Sequence, residues 1–188
     1  MGKSSCGKDT IYKRLLADET LGLKRLVPYT TRPIRIKEID GIDYNFVTED
    51  QYLEIKSGGR VLEERAYNTV HGLWRYFTVK EDSLVNSEDV FLYIGTLEAY
   101  TSLCKALGND MLLPIYVSVD DGERLSRALR REMKEATPKY AEMCRRFLAD
   151  TEDFSDEKLE AAGITKQFDN SDLEECLGNI KTYIKSSL

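Results

Sequence analysis

Isoleucine and leucine at positions 11, 15 and 16 recur at helical spacing behind Lys8, and this predicts a helix that ends near Gly22. Residues 29–43 are polar and broken by Pro33 and Gly41, which reads as a shaped surface, and residues 44–47 follow as a short strand. Val90-Phe91-Leu92-Tyr93-Ile94 and the stretch 112–119 are unbroken apolar runs with β-branched and aromatic members. Strands buried on both faces of a parallel sheet have that pattern. Arginine-rich helices are predicted at about 121–135 and 139–150, and another over 155–162, closed by Gly163 as a left-handed stop. A last helix starts at Ser171, where Ser171-Asp172-Leu173-Glu174 reads as a capping box, and ends near Lys185. Strands alternating with helices give a doubly wound α/β domain, without repeats, low-complexity tracts or linkers.

Composition narrows the function class. A chain of 188 residues with 41% hydrophobic content suits one domain with one core. Four cysteines at 6, 104, 144 and 176 show no paired spacing, and His71 is the single histidine, so a zinc site and a disulfide framework are both disfavoured. His71 itself reads as a surface turn residue and not as a base. No charged-then-apolar leader and no run of 18 apolar residues occurs, which points to a cytoplasmic protein with no membrane partner. The net charge of -6 argues against a nucleic-acid surface. Cations nevertheless gather locally: Lys3 with Lys8, then Arg32, Arg35 and Lys37, then the arginines at 124, 127, 130, 131, 145 and 146. Such clusters on an acidic chain suit a polyphosphate ligand. Nothing in the sequence sets an oligomeric state.

The first cluster sits in Gly2-Lys3-Ser4-Ser5-Cys6-Gly7-Lys8, which follows the phosphate-loop pattern G-x-x-x-x-G-K. Glycines let backbone N–H groups curl around phosphate, and the lysine adds a point charge. That pattern ends in Ser or Thr, a magnesium ligand; this chain has Asp9 there and Thr10 one step on. Asp9 is either a metal partner, acting through water, or a cap for the following helix.

The second cluster is more specific. Thr30-Thr31-Arg32-Pro33-Ile34-Arg35, then Glu38, then Asp40-Gly41-Ile42-Asp43-Tyr44-Asn45-Phe46 resembles the guanylate kinase signature, with matching spacing throughout. Val61-Leu62-Glu63 resembles that family's acidic guanine-reading segment, the region from Arg127 to Arg146 its lid, and Phe168-Asp169-Asn170-Ser171-Asp172-Leu173 its terminal stretch. The resemblance implies ATP-dependent phosphorylation of GMP or dGMP with Mg2+, on a P-loop-type parallel sheet with helices on both faces. It divides the single domain 1–188 into a loop and helix (1–26), a monophosphate-binding subdomain (about 28–88), a helical lid (about 121–150) and the remaining core. Arg32, Arg35, Tyr44 and Tyr76 would hold the GMP phosphate, and Glu63 with Thr78 would read guanine. Gly2, Ser4, Ser5, Cys6, Gly7, Lys8, Asp9 and Thr10 would bind ATP, Asn170 would lie near adenine, and Asp9 would serve the metal. Lys8, Arg127, Arg131 and Arg146 would be catalytic, with the inward member of the pairs 130/131 and 145/146 left open, as is Tyr76 against Trp74.

The chain also departs from the family. Pro28 stands where a serine is common, and Tyr93-Ile94-Gly95 where Asp-x-Asp is expected, so base discrimination should be weakened. Relatives run an apolar strand into the first glycine; here that point is Met1, so the first strand is expected to be absent. Two other readings compete. Ribose 1,5-bisphosphokinases resemble this chain in the Asp after the loop lysine. Guanylate kinase-like scaffolding domains bind phosphopeptides but lose the loop that Gly7-Lys8 retains.

Overall fold

The computed structural model describes all residues except 70–71, 82–83 and 85–87, so the reading of His71 lies outside the described residues. In chain order the elements are α1 (Lys8–Leu16), β1 (Lys24–Arg25), β2 (Tyr29–Thr30), β3 (Asn45–Phe46), α2 (Glu49–Ser57), β4 (Val61–Thr69), β5 (Gly72–Val79) and β6 (Phe91–Leu92). There follow α3 (Leu97–Leu107), β7 (Tyr116–Ser118), α4 (Asp121–Glu132), α5 (Tyr140–Asp153), α6 (Asp156–Ala161), β8 (Gln167–Asp169) and α7 (Leu173–Ser187). Contacts sort these into two compact units. One comprises Met1–Leu21, Ile94–Leu97 and Leu113–Leu188; the other comprises Gly22–Tyr93 and Glu98–Leu112.

In the first unit β7 and β8 pair in parallel, Val117 opposite Phe168. Met1 lies along the free edge of β7: its amino group donates to Ile115 O at 2.8 Å, and its carbonyl accepts from Val117 N at 3.0 Å. The place expected to be a gap in the sheet therefore holds the first residue of the chain. Helix α1 buries Ile11 and Leu15, one turn apart, and α7 buries Cys176, Leu177, Ile180 and Ile184 on one face. The ion pair Arg14–Glu174 (3.1 Å) ties these two helices at their rim, and Lys181 of α7 pairs with Asp18 (2.7 Å) just beyond the end of α1. The last helix is capped by Asp172, which accepts from Glu175 N at 2.9 Å, so it begins one residue later than the predicted box. Gly163, at φ 71°, follows α6 in the left-handed conformation expected of it.

The second unit holds a sheet that the sequence pattern did not predict, ordered β3-β2-β5-β4 and mixed in direction. Strands β4 and β5 form an antiparallel hairpin, β5 also pairs antiparallel with β2, and β2 pairs parallel with β3. One face packs Phe77 and Val79 against Tyr52 of α2, with Tyr29, Val47, Ile55 and Val61 around them. Helix α2 is held at its start by a capping box between Thr48 and Gln51. The register of β4 slips between Val61 and Glu63. That irregularity leaves Val61 with the core and turns Glu63 onto the other face, beside Thr78. A separate parallel pair joins β1 to β6, using two residues of the apolar run 90–94.

Candidate functional site

The loop before α1 is built by close approach. A Cβ on Gly2 would lie 2.5 Å from Val117 O, and one on Gly7 would run into Asn170 Nδ2. Gly7 has φ 88° and is itself the N-cap of α1, with no side-chain capping bond; its carbonyl accepts from Thr10 N at 3.0 Å and Ile11 N at 3.1 Å, and the N–H groups that open a helix are a place where an anion can bind. Asp9 is therefore in the first turn, not at the cap, which removes the simple capping role; both it and Thr10 are exposed. Asn170 is buried against this loop: its Nδ2 donates to Cys6 O at 2.8 Å, and its own carbonyl accepts from Arg127 Nη2 at 3.2 Å. Asn170 thus braces the loop backbone. Its Oδ1 and the Ser5 Oγ are buried without a hydrogen-bond partner among the described residues, and Ser5 has φ 64°.

The arginines of α4 and α5 divide by direction. Arg145 pairs with Glu142 on its own helix, and Arg130 turns to Ser126 and Glu123. Arg131 and Arg146 instead line a cavity of about 170 Å³ together with Ser4, Ser5 and Lys139. Arg146 Nη2 approaches Ser4 Oγ at 3.5 Å. Among the described residues, the Lys8 ammonium and the Arg131 guanidinium make no hydrogen bond or ion pair, so two cations beside the loop are uncommitted. Lys8, Arg131, Arg146 and, through Asn170, Arg127 are thereby associated with one loop.

Two further groups stand behind these: Arg124, which the sequence reading counted within the third cation cluster, and Asp150, to which it gave no role. Arg124 is buried, stacks at 4.2 Å over Phe147, and pairs with Asp121 (2.9 Å) and Asp150 (3.3 Å). Asp150 also accepts from Ser4 N at 2.8 Å, while Arg124 Nη1 donates to Ser4 O at 3.2 Å. This ion pair therefore grips both backbone groups of one loop residue. Only the position of Arg124 within an arginine-rich helix hinted at it.

On the open face of the mixed sheet a second cluster forms. Arg32 is buried, bonded to Glu38, and lies 5.0 Å from the Tyr44 ring, 5.3 Å from Phe46 and 6.0 Å from Tyr76. Tyr44 and Tyr76 meet edge to face at 5.7 Å, which favours Tyr76 over Trp74 as the partner of Arg32. Burial pushes the Tyr44 hydroxyl above its usual pKa. Arg35 is exposed; its backbone N–H donates to the Glu38 carboxylate and its carbonyl accepts from Glu38 N, both at 2.9 Å, and among the described residues its guanidinium makes no bond. Further along the same strands, Thr78 Oγ1 donates to Glu63 Oε1 at 2.9 Å. The sequence reading missed their neighbours. Arg65 Nε donates to Glu63 Oε2 at 3.1 Å and its Nη2 reaches the Tyr93 hydroxyl at 3.3 Å. Burial pushes Tyr93 up to about 12. Period-two alternation from Glu63 would have placed Arg65 on the same face.

Comparison with known proteins is consistent with this layout. The family model described as guanylate kinase matches residues 1–187. A guanylate kinase of Oceanobacillus iheyensis is 37% identical over 94 residues, which is 50% of this chain and 44% of that protein. One from Wolbachia pipientis wMel is 32% identical over 146 residues, 70% of this chain and 71% of that protein. The chain thus spans less than half the length of the first of these relatives. A crystal structure of guanylate kinase from Anaplasma phagocytophilum superposes with a TM-score of 0.68 at 18% identity, covering 98% of this chain and 82% of that one, and shares its mixed α/β fold. With one family model running from Met1 to Ser187 over both the glycine loop and the Arg32–Glu38 segment, this chain belongs to the guanylate kinase family.

Proposed function

We propose that the chain transfers the γ-phosphoryl group of ATP to the phosphate of GMP or dGMP, giving ADP and the nucleoside diphosphate, in the cytoplasm. The observation that carries this reading is the open sheet face. A guanidinium locked by Glu38 lies among Tyr44, Phe46 and Tyr76, and a carboxylate bonded to Thr78 follows along the same strands. Arginine's fork suits a phosphate monoester, and Arg35 adds an exposed second cation with an uncommitted side chain among the described residues.

The chemistry asks mainly for position and charge. A GMP phosphate oxygen attacks the γ-phosphorus, the bond to the ADP oxygen breaks, and negative charge spreads over the transferring oxygens. The attacking oxygen is already anionic, so no general base is required. On this reading Lys8, Arg131 and Arg146 would neutralise that charge and the amides after Gly7 would receive phosphate; the cavity that Arg131 and Arg146 line with Ser4 and Ser5 supports it. Magnesium fits the donor set in one form. Asp9 and Thr10 offer oxygens on the first turn of α1, and the described residues contain no cluster of three acidic, histidine or cysteine groups, so phosphates and water would complete the shell. The ion would supply Lewis-acid neutralisation of the ATP phosphates.

The test is ADP release from ATP and magnesium with GMP, dGMP, AMP, UMP and ribose 1,5-bisphosphate. GMP and dGMP are expected to be turned over fastest. Turnover of ribose 1,5-bisphosphate alone would replace this reading with the neighbouring kinase activity. No turnover with measurable GMP binding would make the chain a phospholigand-binding module.

A further inference from the structure

Resting on the assignment of phosphoryl transfer to the glycine loop, we infer that Lys139 is a further catalytic residue, whose ammonium touches the transferring phosphoryl oxygens beside Arg131 and Arg146. Lys139 lines the same cavity as Ser4 and Ser5 of the loop. Its backbone N–H donates to Glu132, which ties the start of α5 to the end of α4, while its ammonium makes no hydrogen bond or ion pair among the described residues. The carboxylates of that cavity are engaged by other groups. One Glu132 oxygen receives the Lys139 backbone, and the two Glu142 oxygens accept from Arg145, each at 2.7 Å. Arg124 is spent on Asp121 and Asp150, but Arg146 forms no ion pair among the described residues and reaches Ser4 Oγ at 3.5 Å. Arg131, Arg146 and Lys139 therefore share one cavity with no carboxylate paired to any of them. Even with Glu132 set against one of the three, positive charge is in excess.

The position is a costly one for a lysine. Lys139 is the N-cap of α5, makes no side-chain cap there, and puts a cation at the positive end of the helix. A residue that works against its own helix, and sits among cations that lack counter-charges, fits a site built for a ligand. Such a cavity calls for an anion with several oxygens. The γ-phosphoryl group of ATP is one, and its charge is spread over those oxygens during transfer. Arginine presents a planar fork of fixed shape, whereas an ammonium on a four-carbon stem is a point charge that can follow the oxygens as they move. Lys139 acts by charge alone, and the bonds made and broken are those of the transfer itself.

The experiment measures kcat and the KM values for ATP and GMP in Lys139→Gln and Lys139→Arg, and titrates each protein with inorganic tripolyphosphate by calorimetry. Lys134→Gln is the control, because Lys134 is an exposed lysine of the same α4–α5 connection that does not line the cavity. Loss of a charge-assisted contact made chiefly in the transition state should lower kcat about 10- to 100-fold in Lys139→Gln, with both KM values within about threefold, and should weaken tripolyphosphate binding about 10-fold. Lys139→Arg keeps the charge and should regain most of both losses, and Lys134→Gln should match the parent. The backbone N–H that bonds Glu132 survives every one of these changes, so Tm should stay at the parent's value. Parental kcat in Lys139→Gln overturns the inference, and so does an equal loss in Lys134→Gln, which would make the effect one of net charge. A parent inactive on GMP overturns the assignment of the transfer; tripolyphosphate then judges Lys139 by itself, supporting its phosphate contact if binding falls in Lys139→Gln and overturning it if binding does not.

Discussion

Glu38 accepts hydrogen bonds from both terminal nitrogens of Arg32, at 2.7 and 2.5 Å, and a third from the backbone N–H of Arg35 at 2.9 Å. One carboxylate thus fixes the guanidinium of the first arginine and the backbone of the second. The pairing with Arg32 holds the Glu38 carboxyl below its ordinary pKa.

Glu38→Gln keeps the shape but removes the charge. KM for GMP should rise about 10-fold, the worth of a charge-assisted contact, with KM for ATP nearly unchanged. Steady-state kinetics with each substrate varied in turn is the check, and equal shifts in both KM values would point to general unfolding instead.

Asp150→Ala leaves the Arg124 guanidinium buried with one fewer counter-charge and frees the Ser4 N–H. Stability should fall by about 3 kcal/mol, as when one partner of a buried ion pair is removed. Urea denaturation measures this, and ATP affinity should weaken with it because the loop loses its grip.

Gly7→Ala forces a side chain into a left-handed conformation and against Asn170. A cost of about 1–2 kcal/mol is expected from the backbone alone. Fluorescent-ATP titration should show weakened binding in Gly7→Ala, whereas Asn170→Ala, which removes the obstacle but also the brace on Cys6, should weaken it less.

With Gly7 as the cap, an Asp9→Asn change tests metal assistance almost alone. A large fall in kcat with a higher magnesium requirement is expected. If the substituted protein titrates with magnesium like the parent and turns over at a similar rate, phosphates and water hold the ion without Asp9.

The Asp18 carboxyl is lowered from 3.8 to about 2, chiefly by the hydrogen bond from Lys181 and then by Thr20. Because the folded value lies below the unfolded one, its stabilisation is complete above about pH 3.8 and is lost as pH falls through about 2. Asp18→Asn should remove that increment, so that the variant is less stable than the parent at neutral pH, the gap closes as pH falls toward about 2 and the acid limb flattens, as thermal melts across about pH 2–7 would record.

The glycine loop, the helix behind it, the arginine-rich helices and the spacing of Arg32, Arg35 and Tyr44 were legible in the sequence, because each depends on neighbours along the chain: caps, turns and helical periodicity. The hairpin β4–β5 was not. Its outer face carries Glu63, Arg65 and Tyr67 opposite Thr78, Tyr76 and Trp74, so the alternation of apolar and polar residues that marks a half-buried strand is blurred by the polar groups of the candidate site. Pairings across long sequence distance were equally hidden: Asn170 on Cys6, Asp150 on Ser4, Arg65 on Tyr93. The sequence by itself determined which residue types were available for binding phosphate and base. Only the tertiary structure decided which charges are spent on one another and which remain uncommitted, because burial and counter-charge are set by packing between segments that the chain order keeps apart.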